Sequence, residues 1–169
     1  MKPILSDIKT MVEFIAAKIN APANLLPTYG HSNDGYPFIE IGDNGQLHYK
    51  IFERGKEIKN DYAANEDDLC FRIFADITFC MALEYELHNS IPGQDSRRVW
   101  FAKQLELLEK IDPKWSMRKK KDQDYILKYS PFDDNARLRA DYVRMLRKEG
   151  ISPEKAYDLA KEKYPLLFK

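Results

Sequence analysis

Asp76 and Glu84 stand eight residues apart inside a largely apolar run, Asn65 to Ser90, and the segment after it delivers Arg97 and Arg98. Eight residues is a little over two helical turns, so both carboxylates fall on nearly one helical face. Tyr85 and Glu86 adjoin them, and Gln104 lies early in the next apolar stretch. A tight turn at Pro92-Gly93 reverses the chain and can carry Arg97 or Arg98 back against Glu84 or Glu86. Two chemistries suit such a set. Paired carboxylates can act as acid and base, which makes Asp76, Glu84 and Arg97 the candidate site of a small hydrolase-type enzyme. Alternatively, the planar guanidinium fork binds carboxylates in bidentate fashion. A cluster with a base for each acid then neutralises itself, whereas catalysis needs a group left poised and reachable. The expectation is therefore a structural charge network of Asp76, Glu84, Glu86, Arg97, Arg98 and Gln104, with no catalytic residue.

Other reactive groups are sparse. His31, His48 and His88 fall in a loop, a strand and a helix end, and no two have metal-ligand spacing. There is no G-x-S-x-G elbow and no phosphate-binding loop. Neither a metal nor a cofactor is expected. Cys70 and Cys80 sit ten apart on one expected helix, about 15 Å at 1.5 Å rise per residue. That is too far for a disulfide, so both are expected as reduced core residues. The Pro-, Gly- and Asn-rich stretch 22–36 carries Tyr29, His31, Asp34 and Tyr36, and such loops are where contact residues concentrate.

The elements that position these groups follow from periodicity. Ile8, Met11, Val12, Ile15 and Ile19 mark a first helix, capped by Ser6 or Asp7 and ended at Asn20-Ala21-Pro22. The period then becomes two. Strands around Phe38–Gly42 and Leu47–Phe52 flank the turn Asp43-Asn44-Gly45, and Arg54-Gly55-Lys56 turns into a polar edge strand, Glu57–Tyr62. From Asn65 onward the pattern is helical. Asn65 caps the long second helix, Asp95 or Ser96 a third, and Asp112-Pro113 starts a fourth. Residues from Asn135 to Glu149 form a fifth, stopped by Gly150, and Ser152-Pro153 opens a sixth. The fold class is α+β: an N-terminal helix, a three-stranded antiparallel β-meander, then a mostly α-helical bundle. The loosest seam is Ser130 to Asn135. Residues 1–134 are expected as the α+β domain, with 135–169 a C-terminal helical hairpin packed on it.

Composition bounds the class further. A chain of 169 residues with 44% hydrophobic and 32% charged residues is globular rather than disordered. No apolar stretch is long and clean enough for a bilayer, and the N-terminus lacks the apolar core of a secretory signal, so a cytoplasmic location is expected. Formal net charge is zero, yet residues 1–91 hold 8 Lys and Arg against 14 Asp and Glu, and residues 92–169 hold 19 against 13. The acidic half suits a basic partner. The basic half, with Lys119-Lys120-Lys121 near Tyr125, Tyr129 and Phe132, offers a weaker alternative, a nucleic-acid-binding adaptor. The overall neutrality argues against that role. A homodimer stays open, because an exposed edge strand and a helical hairpin both permit one.

The run Phe74-Ala75-Asp76-Ile77-Thr78-Phe79, the following Met81-Ala82-Leu83-Glu84-Tyr85-Glu86, and then Ile91-Pro92-Gly93-Gln94-Asp95-Ser96-Arg97-Arg98 resemble immunity protein family 63 of the bacterial polymorphic-toxin systems. Phe101 to Leu108 and the earlier Leu26-Pro27-Thr28-Tyr29-Gly30 fit as well, and the resemblance covers residues 5–130. It implies an immunity protein of bacterial competition, a cytoplasmic antidote that neutralises one cognate toxin domain by direct contact. It implies no catalysis. A nuclease is one class of toxin that an acidic face would suit. On that reading the contact candidates are the loop residues Tyr29, His31, Asp34 and Tyr36, the exposed side of the meander at Glu53, Glu57 and Asp61, and Glu66, Asp67 and Asp68.

Overall fold

Ile8, Val12 and Ile15 recur at helical spacing because each must reach the same core, and all three are buried on helix α1, Leu5–Lys18. In the computed structural model, which describes residues 4–167, six helices accompany one four-stranded sheet. Helix α1 starts earlier than its expected caps. Ile4 occupies the cap position without a side-chain hydrogen bond, and Ser6 and Asp7 fall inside the first turn. Apolar packing outranks a capping hydroxyl here, and Asp7 still places negative charge near the amide dipoles. The helix ends where Asn20 takes a left-handed φ of 51°.

After a short 3-10 turn, Ala23–Leu25, the strands are β1 Thr28–Tyr29, β2 Asp34–Ile41, β3 Leu47–Glu53 and β4 Lys56–Ala63. Their order is β1-β2-β3-β4, with β2, β3 and β4 antiparallel and β1 parallel to β2. The expected three-stranded antiparallel meander is thus one strand short of the observed mixed sheet. A two-residue strand has no alternation to read, and its pairing of Thr28 with Phe38 and Tyr29 with Ile39 is a tertiary event. The hairpin turns behave as their residues dictate. Gly45 has φ 82°, and Gly42 N–H donates to Gln46 O at 2.9 Å. Arg54 and Gly55 both have positive φ, 51° and 76°, as a two-residue primed turn requires.

Helix α2, Glu66–Asn89, opens on a reciprocal cap: Asp68 N–H donates to Asn65 Oδ1 at 2.9 Å, and Ala64 N–H donates to Asp68 Oδ2 at 3.1 Å. Helix α3 is Arg97–Ile111 and α4 is Pro113–Tyr129, whose start is capped by Asp112 accepting from Lys114 N–H at 2.8 Å. Helices α5, Ala136–Lys148, and α6, Pro153–Lys163, complete the chain. Ser152 caps α6 through Lys155 N–H.

The chain divides into two compact units, 4–81 with 104–119 and 82–103 with 120–167. In the first, one continuous core joins α1 (Ile8, Val12), the sheet (Ile39, Leu47, Tyr49), α2 (Leu69, Ile73, Phe74, Ile77) and the segment with Leu107, Leu108 and Trp115. Gln104 is buried there and donates to the Ala75 carbonyl at 3.0 Å. In the second, Phe101, Leu146, Ala156 and Ala160 are buried. Ser130 to Asn135, expected as the loosest seam, is cross-braced. Arg97 donates to the carbonyls of Ser130 and Pro131 at 2.8 and 2.7 Å, Asp133 N–H reaches Asp95 at 2.8 Å, and Asn135 binds the Pro165 carbonyl at 2.9 Å.

Candidate functional site

The acids split into two groups, those held by internal partners and those left facing outward. Along α2 and β4 of the first unit the charges alternate. Asp76 meets Lys59 at 2.7 Å, Lys59 meets Asp61 at 3.3 Å, and Asp61 lies 3.9 Å from Arg72. Arg72 reaches Asp68 at 3.1 Å, and Asp68 meets Arg118 at 2.7 Å. Burial pushes the Asp68 carboxyl up, but the bonds from Arg118, the Ala64 N–H and Arg72 outweigh it and hold the group below the usual range. A charge network therefore exists, but its members differ from those expected. Asp76 belongs to it, together with Asp61 and Asp68 from the expected contact face.

The expected pairing of Arg97 or Arg98 with Glu84 or Glu86 gives way to other partners. Arg97 binds Asp95 at 2.6 Å and Arg98 binds Asp134 at 2.8 Å. Asp95 is two residues from Arg97 at the helix start, so it captures the guanidinium before any acid of α2 can. Asp134 is supplied by tertiary folding. Glu84 is solvent-exposed beside His88, 3.3 Å away, and Glu86 is half-buried without an ion pair among the described residues. The set proposed for a hydrolase is thus dispersed over separate partners: Asp76 on Lys59, Glu84 on His88, Arg97 on Asp95.

Several contact candidates also have structural duties. The Tyr29 side chain lies on β1, its hydroxyl is buried without a hydrogen-bond partner among the described residues, and burial followed by the charge of Glu13 pushes its pKa up to about 12. His31 is packed edge-on against Phe38 and Phe52, each at 5.3 Å. Asp67 accepts from the buried Trp115 indole N–H at 3.1 Å. Glu57 accepts from Asn60 at 3.1 Å, and Glu66 is exposed in the first turn of α2.

Three candidates converge. Asp34, Tyr36 and Glu53 meet at the open end of the β2–β3 ladder, where Asp34 and Glu53 are register partners. Between Asp34 and Pro37 the register slips, and Gly35 takes φ 82°. A Cβ there would stand 3.7 Å from the Glu53 carboxyl carbon, so that side chain lies along the glycine. Beside this end runs a groove of about 430 Å³ whose walls include Asp34, Tyr36, Tyr49, Ile51, Asp76 and Ile77. A larger hollow, about 710 Å³, lies at the β2–β3 turn and the start of α2. Its walls include Asn44, Gln46, Leu47, Ala63, Asn65, Glu66 and Asp67, with no aromatic side chain to meet an anchor residue. The smaller groove is the better candidate on physical grounds. Its floor was partly readable, since Tyr49 and Ile51 alternate along β3. The contribution of α2 through Asp76, Ile77 and Cys80 depends on long-range packing.

Cys80 is exposed on that groove rather than buried in the core as expected, while Cys70 is 1% exposed. Spacing of ten residues puts both thiols on α2 but does not determine which of them faces out. Burial and then the charge of Asp67 push the Cys70 thiol up to about 12, and partial burial followed by Asp76 raises that of Cys80. The native protein should therefore take up one equivalent of a maleimide, slowly, at Cys80. A second equivalent should appear only in denaturant. Two fast equivalents in the native state would contradict the placement of Cys70.

The site is an acidic, aromatic-floored groove on an α+β scaffold, a surface suited to holding another molecule by an apolar anchor and a positive charge. The family model described as Immunity protein 63 matches residues 43–125, just under half of the chain, so over that segment the chain is similar to this family of immunity proteins. The match takes in β3, β4, α2, α3 and most of α4, and therefore the groove residues Tyr49, Ile51, Asp76 and Ile77. No curated protein and no solved structure matches the chain. Among the described residues no helix is long and apolar enough to cross a membrane, and no group of three or more His, Cys, Asp or Glu side chains is placed to hold a metal ion.

Proposed function

We propose that this protein neutralises a cognate toxin domain of a polymorphic-toxin system by binding it directly, without catalysis. The family match over residues 43–125 carries the reading. The groove supports it, because a tight protein contact needs an apolar pocket for an anchor residue and complementary charge around it. A basic toxin such as a nuclease is the partner class that the outward-facing acids favour. The antidote would act in the cytoplasm, where such a toxin does its damage.

The test is co-expression with the toxic C-terminal domain encoded by the neighbouring gene. Growth should be restored. In vitro, protection should track stoichiometry: toxin in excess of the protein remains active, because a binder is consumed one for one. Failure to rescue removes the proposal. Protection by a small fraction of an equivalent would favour an enzyme instead.

A further inference from the structure

Resting on that reading, we infer that the groove between β2–β3 and α2 is the seat of the toxin, and that its occupant is a segment presenting an arginine or lysine next to an apolar side chain. Asp34 and Glu53 stand directly opposite each other across the ladder, an arrangement of like charges that costs stability unless a cation lies between them. Among the described residues neither has an ion pair shorter than 3.9 Å. Asp34 accepts hydrogen bonds from the Ser32 hydroxyl and from the Tyr36 N–H at 3.2 Å, which hold its carboxyl below the ordinary value and keep it charged. Among the described residues Glu53 has an ion pair only with Arg54, at 3.9 Å, and that side chain is 91% exposed, so water screens the contact; its register partner on β4, Lys56, forms no ion pair with it. The acids of the α2–β4 network differ in that each has a short partner.

The floor supplies the other half of the specificity. Tyr49, Ile51 and Ile77 line the groove behind the acids, and Tyr36, 51% exposed, stands at its mouth. An apolar or aromatic side chain entering here is desolvated against the floor while its basic neighbour reaches Asp34 and Glu53. The guanidinium of arginine fits better than an ammonium, since two carboxylates facing each other match its fork and Tyr36 offers a ring face. Gly35 keeps the approach open: a side chain at that position would stand against Glu53, and the backbone there is left-handed.

Cys80 in the groove provides a readout independent of mutation. The toxin domain encoded by the neighbouring gene should protect Cys80 from maleimide when it binds the wild-type protein. The double variant Asp34→Lys with Glu53→Lys should bind about 100-fold more weakly, about 2.7 kcal/mol at 1.36 kcal/mol per tenfold. Reversing two exposed acids elsewhere, Asp43→Lys with Glu109→Lys, should change affinity by less than about threefold. Circular dichroism melts establish that both variants fold. If the wild type binds and rescues growth but Cys80 stays reactive, or the Asp34/Glu53 reversal binds undiminished, the groove is not the seat and only the broader reading survives. If the wild type does not bind the domain at all, the broader reading falls and this inference falls with it.

Discussion

Phe74→Ala should destabilise the first unit by about 4 kcal/mol, within the 3–5 kcal/mol that truncating a buried phenylalanine costs. Phe74 is wholly buried in the middle of α2, and its ring stacks on Trp115 at 6.2 Å between centroids with 24° between planes. Trp115 is itself fixed by Phe71, at 6.1 Å, and by its hydrogen bond to Asp67. Removing the ring leaves a cavity bounded by residues of α2 and by Trp115, which rigid neighbours fill only in part. Denaturant unfolding followed by tryptophan fluorescence reads the loss. Phe74→Leu keeps most of the volume and should lose less than half as much. Equal stability of Phe74→Ala and wild type would mean that α2 does not pack as described.

The second large effect belongs to the other unit. Asp95→Ala should cost about 3 kcal/mol, because it strands a partly buried arginine and unpairs two backbone N–H groups. The Asp95 side chain is 8% exposed and accepts from Arg97, from the Arg97 N–H at 3.0 Å and from the Asp133 N–H at 2.8 Å. Burial raises its pKa, but these bonds and the charge of Arg97 outweigh that effect and hold the carboxyl below its ordinary value. A depressed folded-state pKa gives stability that is present above the unfolded carboxylate value, near 4, and lost as pH falls through the lower folded value. Wild type should thus lose stability on acidification below about pH 4. Asp95→Ala should lose less over the same interval, having already forfeited that contribution. Parallel pH profiles for the two proteins would refute the assignment.

Local signals carried much of the architecture. Asn65, Asp112 and Ser152 announce helix starts because a cap bond spans only two or three residues, and each makes the bond its position suggests. The primed turn at Arg54-Gly55 and the apolar spacing of α1 are equally local. Strand β1 was hidden because two residues carry no period, and the bulge at Gly35 because a register slip is decided between strands. The candidate site was half legible: Asp34, Tyr36 and Glu53 were singled out as contact residues, but nothing in their spacing places them at one end of a groove.

Charge partners show the division most clearly. Sequence alone determined which residues are charged, which helices carry them, and that an acidic first half and a basic second half share one α+β chain. Tertiary structure alone decided that Lys59 neutralises Asp76 and that Arg118 joins Asp68, while Asp34 and Glu53 are left facing out. The reason is range. A helical period or a cap is set by neighbours a few residues apart, whereas an ion pair is set by which side chains packing brings within about 4 Å, and the same acid can be spent internally or left for a partner without any change in its local sequence.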